Sequence, residues 1–149
     1  MVQPTLLLVN INRLITPSGR TKSGFLADQA ELKKALFVAV TETWLNDGIF
    51  DSEVCHNFSG FSLFRSDRCG REGGGVALYL KDTLTGEVLG TFDNKVCQFL
   101  TVKIHQLDTV VTVFYRPPDT RMAEFTEALQ KLDKIWKMYT SGASPPNER

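Results

Sequence analysis

The chain opens on a short apolar run, Thr5-Leu-Leu-Leu-Val9, closed by the polar Asn10. A run of that length between polar residues predicts a strand buried on both faces. Loop chemistry fills Thr16-Pro-Ser-Gly-Arg-Thr-Lys-Ser-Gly24. From Phe25 to Leu36 the positions Phe25, Leu26, Gln29, Leu32 and Leu36 fall on one helical stripe, with Asp28, Glu31, Lys33 and Lys34 mostly outward. Phe37-Val-Ala-Val40 predicts a second strand, which runs straight into Thr41-Glu-Thr-Trp44. Strand, helix and strand in this order and spacing make a βαβ unit, so the two strands should lie close together in one sheet.

The middle of the chain reads as β-structure. Phe61-Ser-Leu-Phe-Arg65 alternates, and Gly73-Gly-Gly-Val-Ala-Leu-Tyr-Leu80 begins another strand across the glycine-rich turn Asp67–Gly75. Gln98–Ile104 and Thr109–Tyr115 predict a hairpin joined through His105-Gln-Leu-Asp108 and stopped by Pro117 and Pro118. Met122, Phe125, Leu129, Leu132, Trp136 and Tyr139 then recur at helical spacing, which predicts an amphipathic core-facing helix roughly 26 Å long. Asp119 or Thr120 is placed to cap it. Residues 1–139 read as one domain and 140–149, with almost no apolar content, as a frayed tail.

Composition narrows the class. With 149 residues, 42% hydrophobic, and 17 basic residues against 17 acidic, the chain can build a core and is not a disordered or solvating segment. The zero formal charge offers no global attraction for nucleic acid or anionic membrane, so any phosphate site must be local. Cys55, Cys69 and Cys97 are odd in number and match neither a disulfide framework nor a zinc pattern. They read as buried or free thiols of a reducing compartment. With no export signal and no apolar stretch near 18 residues, the expected location is intracellular, nuclear or cytoplasmic, and the chain is not expected to meet a membrane.

Three polar residues end apolar strands, where layered α/β folds gather their sites: Asn10, Glu42 and Tyr115. A carboxylate there suits a hard divalent cation, an amide can orient a bound oxygen, and a phenol can donate to a phosphate oxygen carrying developing charge. From position alone, the plainer reading is that each residue simply terminates its strand. The glycines Gly70, Gly73, Gly74 and Gly75 lack a following Gly-Lys-Ser/Thr and precede a strand, so they read as a flexible turn and not as a phosphate cradle. Arg65, Asp67 and Arg68 read either as a DNA-facing edge or as a solvated hairpin. His56 and His105 read as surface residues, and Trp44 and Trp136 as core or sheet-covering residues.

Asn10-Ile-Asn12, Thr41-Glu-Thr-Trp-Leu45, Arg65-Ser-Asp-Arg68 with Gly73-Gly-Gly-Val-Ala-Leu-Tyr79, and Tyr115-Arg-Pro-Pro118 follow one another in that order. Together they resemble the N-terminal part of the endonuclease/exonuclease/phosphatase superfamily. The nearest likeness is to the apurinic-endonuclease-like domain of jockey-type non-LTR retrotransposons, over nearly all of residues 5–137. The resemblance implies the N-terminal portion of a four-layer α/β/β/α sandwich, here one mixed β-sheet with outer helices. It implies Mg²⁺ held by Glu42 and Asn10, with Asn12 the weaker candidate, and Tyr115 contacting the scissile phosphate of DNA. The implied reaction is phosphodiester hydrolysis that nicks target DNA to prime reverse transcription.

The family's Gly-Asp-Phe-Asn and Ser-Asp-His motifs have no counterpart in these 149 residues. Gly90-Thr-Phe-Asp-Asn94 has the composition of the first motif in another order, and Ser66-Asp67-Arg68 lacks the histidine. The expected consequences are background activity and a bare inner sheet face formed by Leu7, Val38, Val76, Leu78, Leu100 and Val113. That face would favour marginal stability and self-association. An alternative expectation is a non-catalytic protein that binds another chain through the same face.

Overall fold

A computed structural model describes residues 5–68 and 73–142. Strands β1 (Leu6–Asn10) and β2 (Phe37–Thr41) flank helix α1 (Ser23–Lys33), and the short helix α2 (Asp51–Val54) precedes β3 (Phe61–Ser66). β4 (Val76–Lys81), β5 (Gly86–Asp93), β6 (Gln98–Ile104) and β7 (Thr109–Tyr115) follow, then helix α3 (Met122–Thr140). β1 and β2 pair in parallel, as the βαβ reading requires, and β2–β4 and β3–β4 pair antiparallel. The result is a mixed sheet in the order β1-β2-β4-β3 and a second, antiparallel sheet in the order β5-β6-β7. The fold is mixed α/β, with layers running α1, first sheet, second sheet, α3.

Alternation along the first sheet decides which residues meet which layer. Val38, Val40, Ala77 and Tyr79 face α1 and pack with Leu26, Ala30, Leu14, Val54 and Phe58. Phe37, Ala39, Val76, Leu78 and Leu80 face the other way, onto Leu100, Val102, Ile104 and Val113 of the second sheet. Two sheets stacked face to face bury both inner surfaces, and Val76, Leu78, Leu100 and Val113 are no more than 2% exposed.

This arrangement corrects the expectation of one sheet with a bare inner face. Leu7 and Val38 lie on the α1 side, and the other four named residues are covered by the opposing sheet. The reading of an interaction protein that uses this face, and of self-association through it, loses its surface. The missing piece in the pattern is β5. Gly86, Gly90 and a register shift between Val88 and Gly90 break the alternation that would mark it as a strand.

Both helices turn a different face inward from the one their apolar spacing predicts. In α1, Leu26 and Ala30 are buried while Phe25 and Leu32 are exposed, and Leu36 lies beyond the helix end. In α3, Ala128 and Ile135 are buried, whereas Met122, Leu129 and Trp136 are exposed. Ile135 seats against Gly90, where any side chain would collide with it, so a glycine in the sheet sets the helix's rotation. Trp136 is therefore not a core residue. Neither Asp119 nor Thr120 caps α3: the N-cap is Arg121, whose backbone N–H donates to Glu124 Oε2 at 2.9 Å. The helix runs through Thr140, one residue into the expected tail, and residues 143–149 of that tail lie outside the described residues, as do Cys69 and Gly70. Cys55 and Cys97 are free thiols. Among the described residues no helix is long and apolar enough to cross a membrane.

Tyr79 anchors the α1-side core. Its ring stacks on Phe58 at 4.2 Å, and its hydroxyl donates to the Val54 carbonyl at 2.6 Å. Burial, followed by the nearby Cys55, pushes its phenol above the ordinary value of 10.0. Because the folded pKa is raised, this contribution to stability is complete below the unfolded value and is lost as pH climbs past it. Tyr79→Phe should cost about 1–2 kcal/mol in denaturant unfolding at neutral pH, since it orphans the Val54 carbonyl. The variant's stability should also decline less steeply above pH ~10 than that of the parent chain.

Candidate functional site

The turn after β2 is the unusual piece of backbone. Glu42 and Trp44 both sit at positive φ, +57° and +58°, a region that costs a non-glycine residue roughly 1–2 kcal/mol. Neighbours on two sides hold them there. The N–H groups of Arg13 and Leu14, in the loop after β1, donate to the Glu42 and Thr43 carbonyls at 2.7 and 2.9 Å. On the other side the Thr43 and Trp44 N–H groups donate to the Gly75 and Gly74 carbonyls at 3.3 and 2.9 Å. Backbone strain over-determined in this way is how folds aim a side chain at a site.

The strain has a clear result. Glu42, at the end of the first sheet, accepts a hydrogen bond at 2.6 Å on Oε1 from the hydroxyl of Tyr115, at the end of the second sheet. Asn10 ends β1 on the neighbouring rung: it pairs with Thr41, the residue before Glu42, and is exposed. The three residues singled out in the sequence thus lie on one rim of the sandwich, with Glu42 and Tyr115 in direct contact and Asn10 beside them. Asn12 is exposed at φ +46° and offers its backbone carbonyl to the Lys22 ammonium at 3.2 Å. That interaction belongs to the loop and not to the Glu42–Tyr115 pair.

Beneath the pair lies a polar floor made by Arg68, which is buried and not part of a solvated hairpin, and by Gln98, which sequence reasoning missed. Arg68 is 9% exposed, its guanidinium lies 5.8 Å from the centroid of the Tyr115 ring, and it donates to the Val96 carbonyl at 3.2 Å. Gln98, fully buried and paired with Tyr115 in the β6–β7 register, accepts from the Gly75 N–H at 2.7 Å. Gly74 and Gly75 are not a loose turn. A Cβ on Gly74 would stand 2.5 Å from Arg68 Nε and Gln98 Oε1, and one on Gly75 would fall onto Thr43 Oγ1. The signal for this floor was the glycine run itself, whose close backbone approach only the packed structure reveals.

The other candidates fall elsewhere. Arg65 braces the α1 side: its guanidinium reaches the Ile49 and Asn46 carbonyls and pairs with Asp51 and Asp67 at 3.0 and 2.7 Å. Burial works against its charge, but bonds to Asp67 and then Asp51 outweigh that and raise its pKa. Arg13 lies over the Trp44 ring at 4.9 Å and Arg116 over Phe125 at 4.7 Å, which brings further positive charge to loops around the rim.

The donor set is small and oxygen-only. Among the described residues no group of three or more His, Cys, Asp or Glu side chains converges to hold a metal. Glu42 keeps its second carboxylate oxygen, and Asn10 can add an amide oxygen. A hard cation that keeps most of its waters needs only one or two protein oxygens, so these residues fit a largely hydrated Mg²⁺ and not a dehydrated cage.

No family model matches the chain, and no curated protein sequence matches it. Among solved structures it is similar to the endonuclease domain of TRAS1, a telomere-specific non-LTR retrotransposon, with a TM-score of 0.57 and 18% identity. The match covers 85% of this chain and 52% of that one, so the chain spans about half the length of that domain. The likeness shows a shared endonuclease-like fold.

The glycine floor predicts a sharp effect. Gly75→Ala places a side chain at φ +87° against Thr43 and should cost about 1–3 kcal/mol in denaturant unfolding. An equivalent substitution at Gly19, whose Cβ would meet open space, carries only the backbone cost at φ +84° and should be milder.

Proposed function

We propose that this chain is the N-terminal portion of a Mg²⁺-dependent DNA endonuclease domain of retrotransposon type, holding one part of the active site and inert without the rest. The observation that supports it is the Tyr115–Glu42 hydrogen bond, which joins residues 73 positions apart at the ends of two different sheets. A carboxylate and a phenol have no packing reason to meet there. The endonuclease-like fold of the structural neighbour supports the same reading.

Glu42 and Asn10 would hold the cation, which when bound supplies Lewis-acid activation of a phosphodiester. Tyr115, now donating to Glu42, can turn the same proton toward a non-bridging phosphate oxygen as charge builds on it. Arg68 keeps the Tyr115 ring in place from below, and Arg13 and Arg116 offer local charge to the backbone of DNA. This placement satisfies the requirement of a neutral chain that its phosphate affinity be local. A group that positions the attacking water or protonates the leaving oxygen contributes about 10²- to 10⁴-fold, and members of one catalytic unit fail together. Without counterparts of the Gly-Asp-Phe-Asn and Ser-Asp-His segments, these 149 residues should show only background hydrolysis.

Two measurements test this. Paramagnetic Mn²⁺ should broaden the amide resonances of Asn10, Glu42 and Tyr115, and Glu42→Ala should abolish the effect; broadening elsewhere, or none, removes the metal site. Incubation with supercoiled plasmid and Mg²⁺ should give no Glu42-dependent nicking. Nicking that disappears in Glu42→Ala would overturn the incompleteness while leaving the nuclease assignment standing.

A further inference from the structure

Gln98 is the odd residue of the inner layer. It opens β6, and the residues that follow it on the same face, Leu100, Val102 and Ile104, are apolar and form the contact between the sheets. Gln98 is as buried as they are. A side-chain amide placed there costs stability unless both its ends find partners. Among the described residues only one end does. Oε1 accepts from the Gly75 N–H at 2.7 Å, while Nε2 is shut off from water without a hydrogen-bond partner. The chain's own atoms enclose that nitrogen, so the arrangement does not depend on anything that lies beyond either sheet's edge.

A leucine or methionine would fill the same space without an orphaned donor, so packing does not account for the amide. The bond made by Oε1 does. It runs from β6 of the second sheet to Gly75, the residue before β4 of the first. The Gly75 carbonyl accepts from the Thr43 N–H at 3.3 Å, and the Gly74 carbonyl accepts from the Trp44 N–H at 2.9 Å. Those bonds fix the turn in which Glu42 keeps its φ of +57°. The backbone of Gln98 meanwhile pairs with Tyr115 across β6 and β7. One residue therefore reaches both halves of the rim contact: its main chain meets the strand that carries the phenol, and its side chain holds the turn that carries the carboxylate.

We propose that Gln98 is a positioning residue whose amide sets the separation of the Glu42 carboxylate and the Tyr115 hydroxyl. Apolar contact brings the two sheets together but has no direction, so it tolerates small sliding. A hydrogen bond between the sheets has direction. It holds the ends of β2 and β7 within the tolerance that the 2.6 Å bond from Tyr115 to Glu42 requires. The unpartnered Nε2 is what remains once the acceptor has been placed. The inference rests on the nuclease reading for its chemical consequence, the aim of a carboxylate toward a cation and of a phenol toward phosphate; the geometry itself is measurable without metal.

Gln98→Met keeps the length of the side chain and removes the acceptor. It exchanges one buried unpartnered N–H, that of Gln98, for another, that of Gly75, so the variant should melt close to the parent. Its Gly75 amide should exchange with solvent at least about tenfold faster. The NOEs that the parent shows between the Tyr115 ring and the Glu42 side chain should disappear. Mn²⁺ affinity, read from broadening at Glu42, should fall about tenfold, as when a group behind a metal ligand is removed. Gln98→Glu restores an acceptor oxygen at the same reach and should recover both the Gly75 protection and the NOEs. Unchanged NOEs in Gln98→Met overturn the inference, as does a Glu variant that leaves them lost. A Met variant that fails to fold or melts far below the parent also overturns it, because Gln98 then serves the core as a whole. NOEs that answer to Gln98 in a chain without Mn²⁺ broadening at Glu42 support the inference and strike the metal reading alone.

Discussion

The apolar contact between the two sheets is what the rest of the molecule depends on. Leu78 and Leu80 on β4 and Phe37 and Ala39 on β2 meet Leu100, Val102, Ile104 and Val113 in a layer almost closed to water. Burial of large side chains at about 1.5–3 kcal/mol apiece makes this layer a major source of tertiary stability beside the α1-side core. It also sets geometry, because it fixes where the ends of β2 and β7 fall relative to each other. The Glu42–Tyr115 contact exists because that layer holds the two strand ends within one hydrogen bond of each other.

Around that contact, backbone and side chains share the cost of order. The positive φ angles at Glu42 and Trp44 survive because four hydrogen bonds from adjoining loops hold the turn on both sides. The glycines opposite leave room for those bonds and for Arg68 and Gln98 underneath. The rim at the Glu42–Tyr115 pair is thus held on both sides and bordered by the cationic Arg13 and Arg116.

Much of the fold was legible from residue order. Short β-branched and leucine runs, a helix between two of them, and a hairpin across His105–Asp108 are local patterns, and the parallel β1–β2 pair follows from the intervening helix. Asn10, Glu42 and Tyr115 were legible for a related reason: a polar residue at the end of an apolar strand stands out against its neighbours. β5 escaped because a bulge and two glycines erase the alternation on which a strand reading rests. The buried faces of α1 and α3 escaped because the buried positions there are small or few, Ala30, Ala128 and Ile135, while larger apolar residues stay outside.

Sequence by itself determined the class of fold, the strand segments other than β5, and the polar residues at the ends of β1, β2 and β7. Only tertiary structure decided that the sandwich has two sheets, that Arg68 and Gln98 floor the site, and that Glu42 meets Tyr115 and not the solvent. The reason is physical. Periodicity records which residues in one segment share a face, but which face finds a partner depends on packing between segments far apart in the chain.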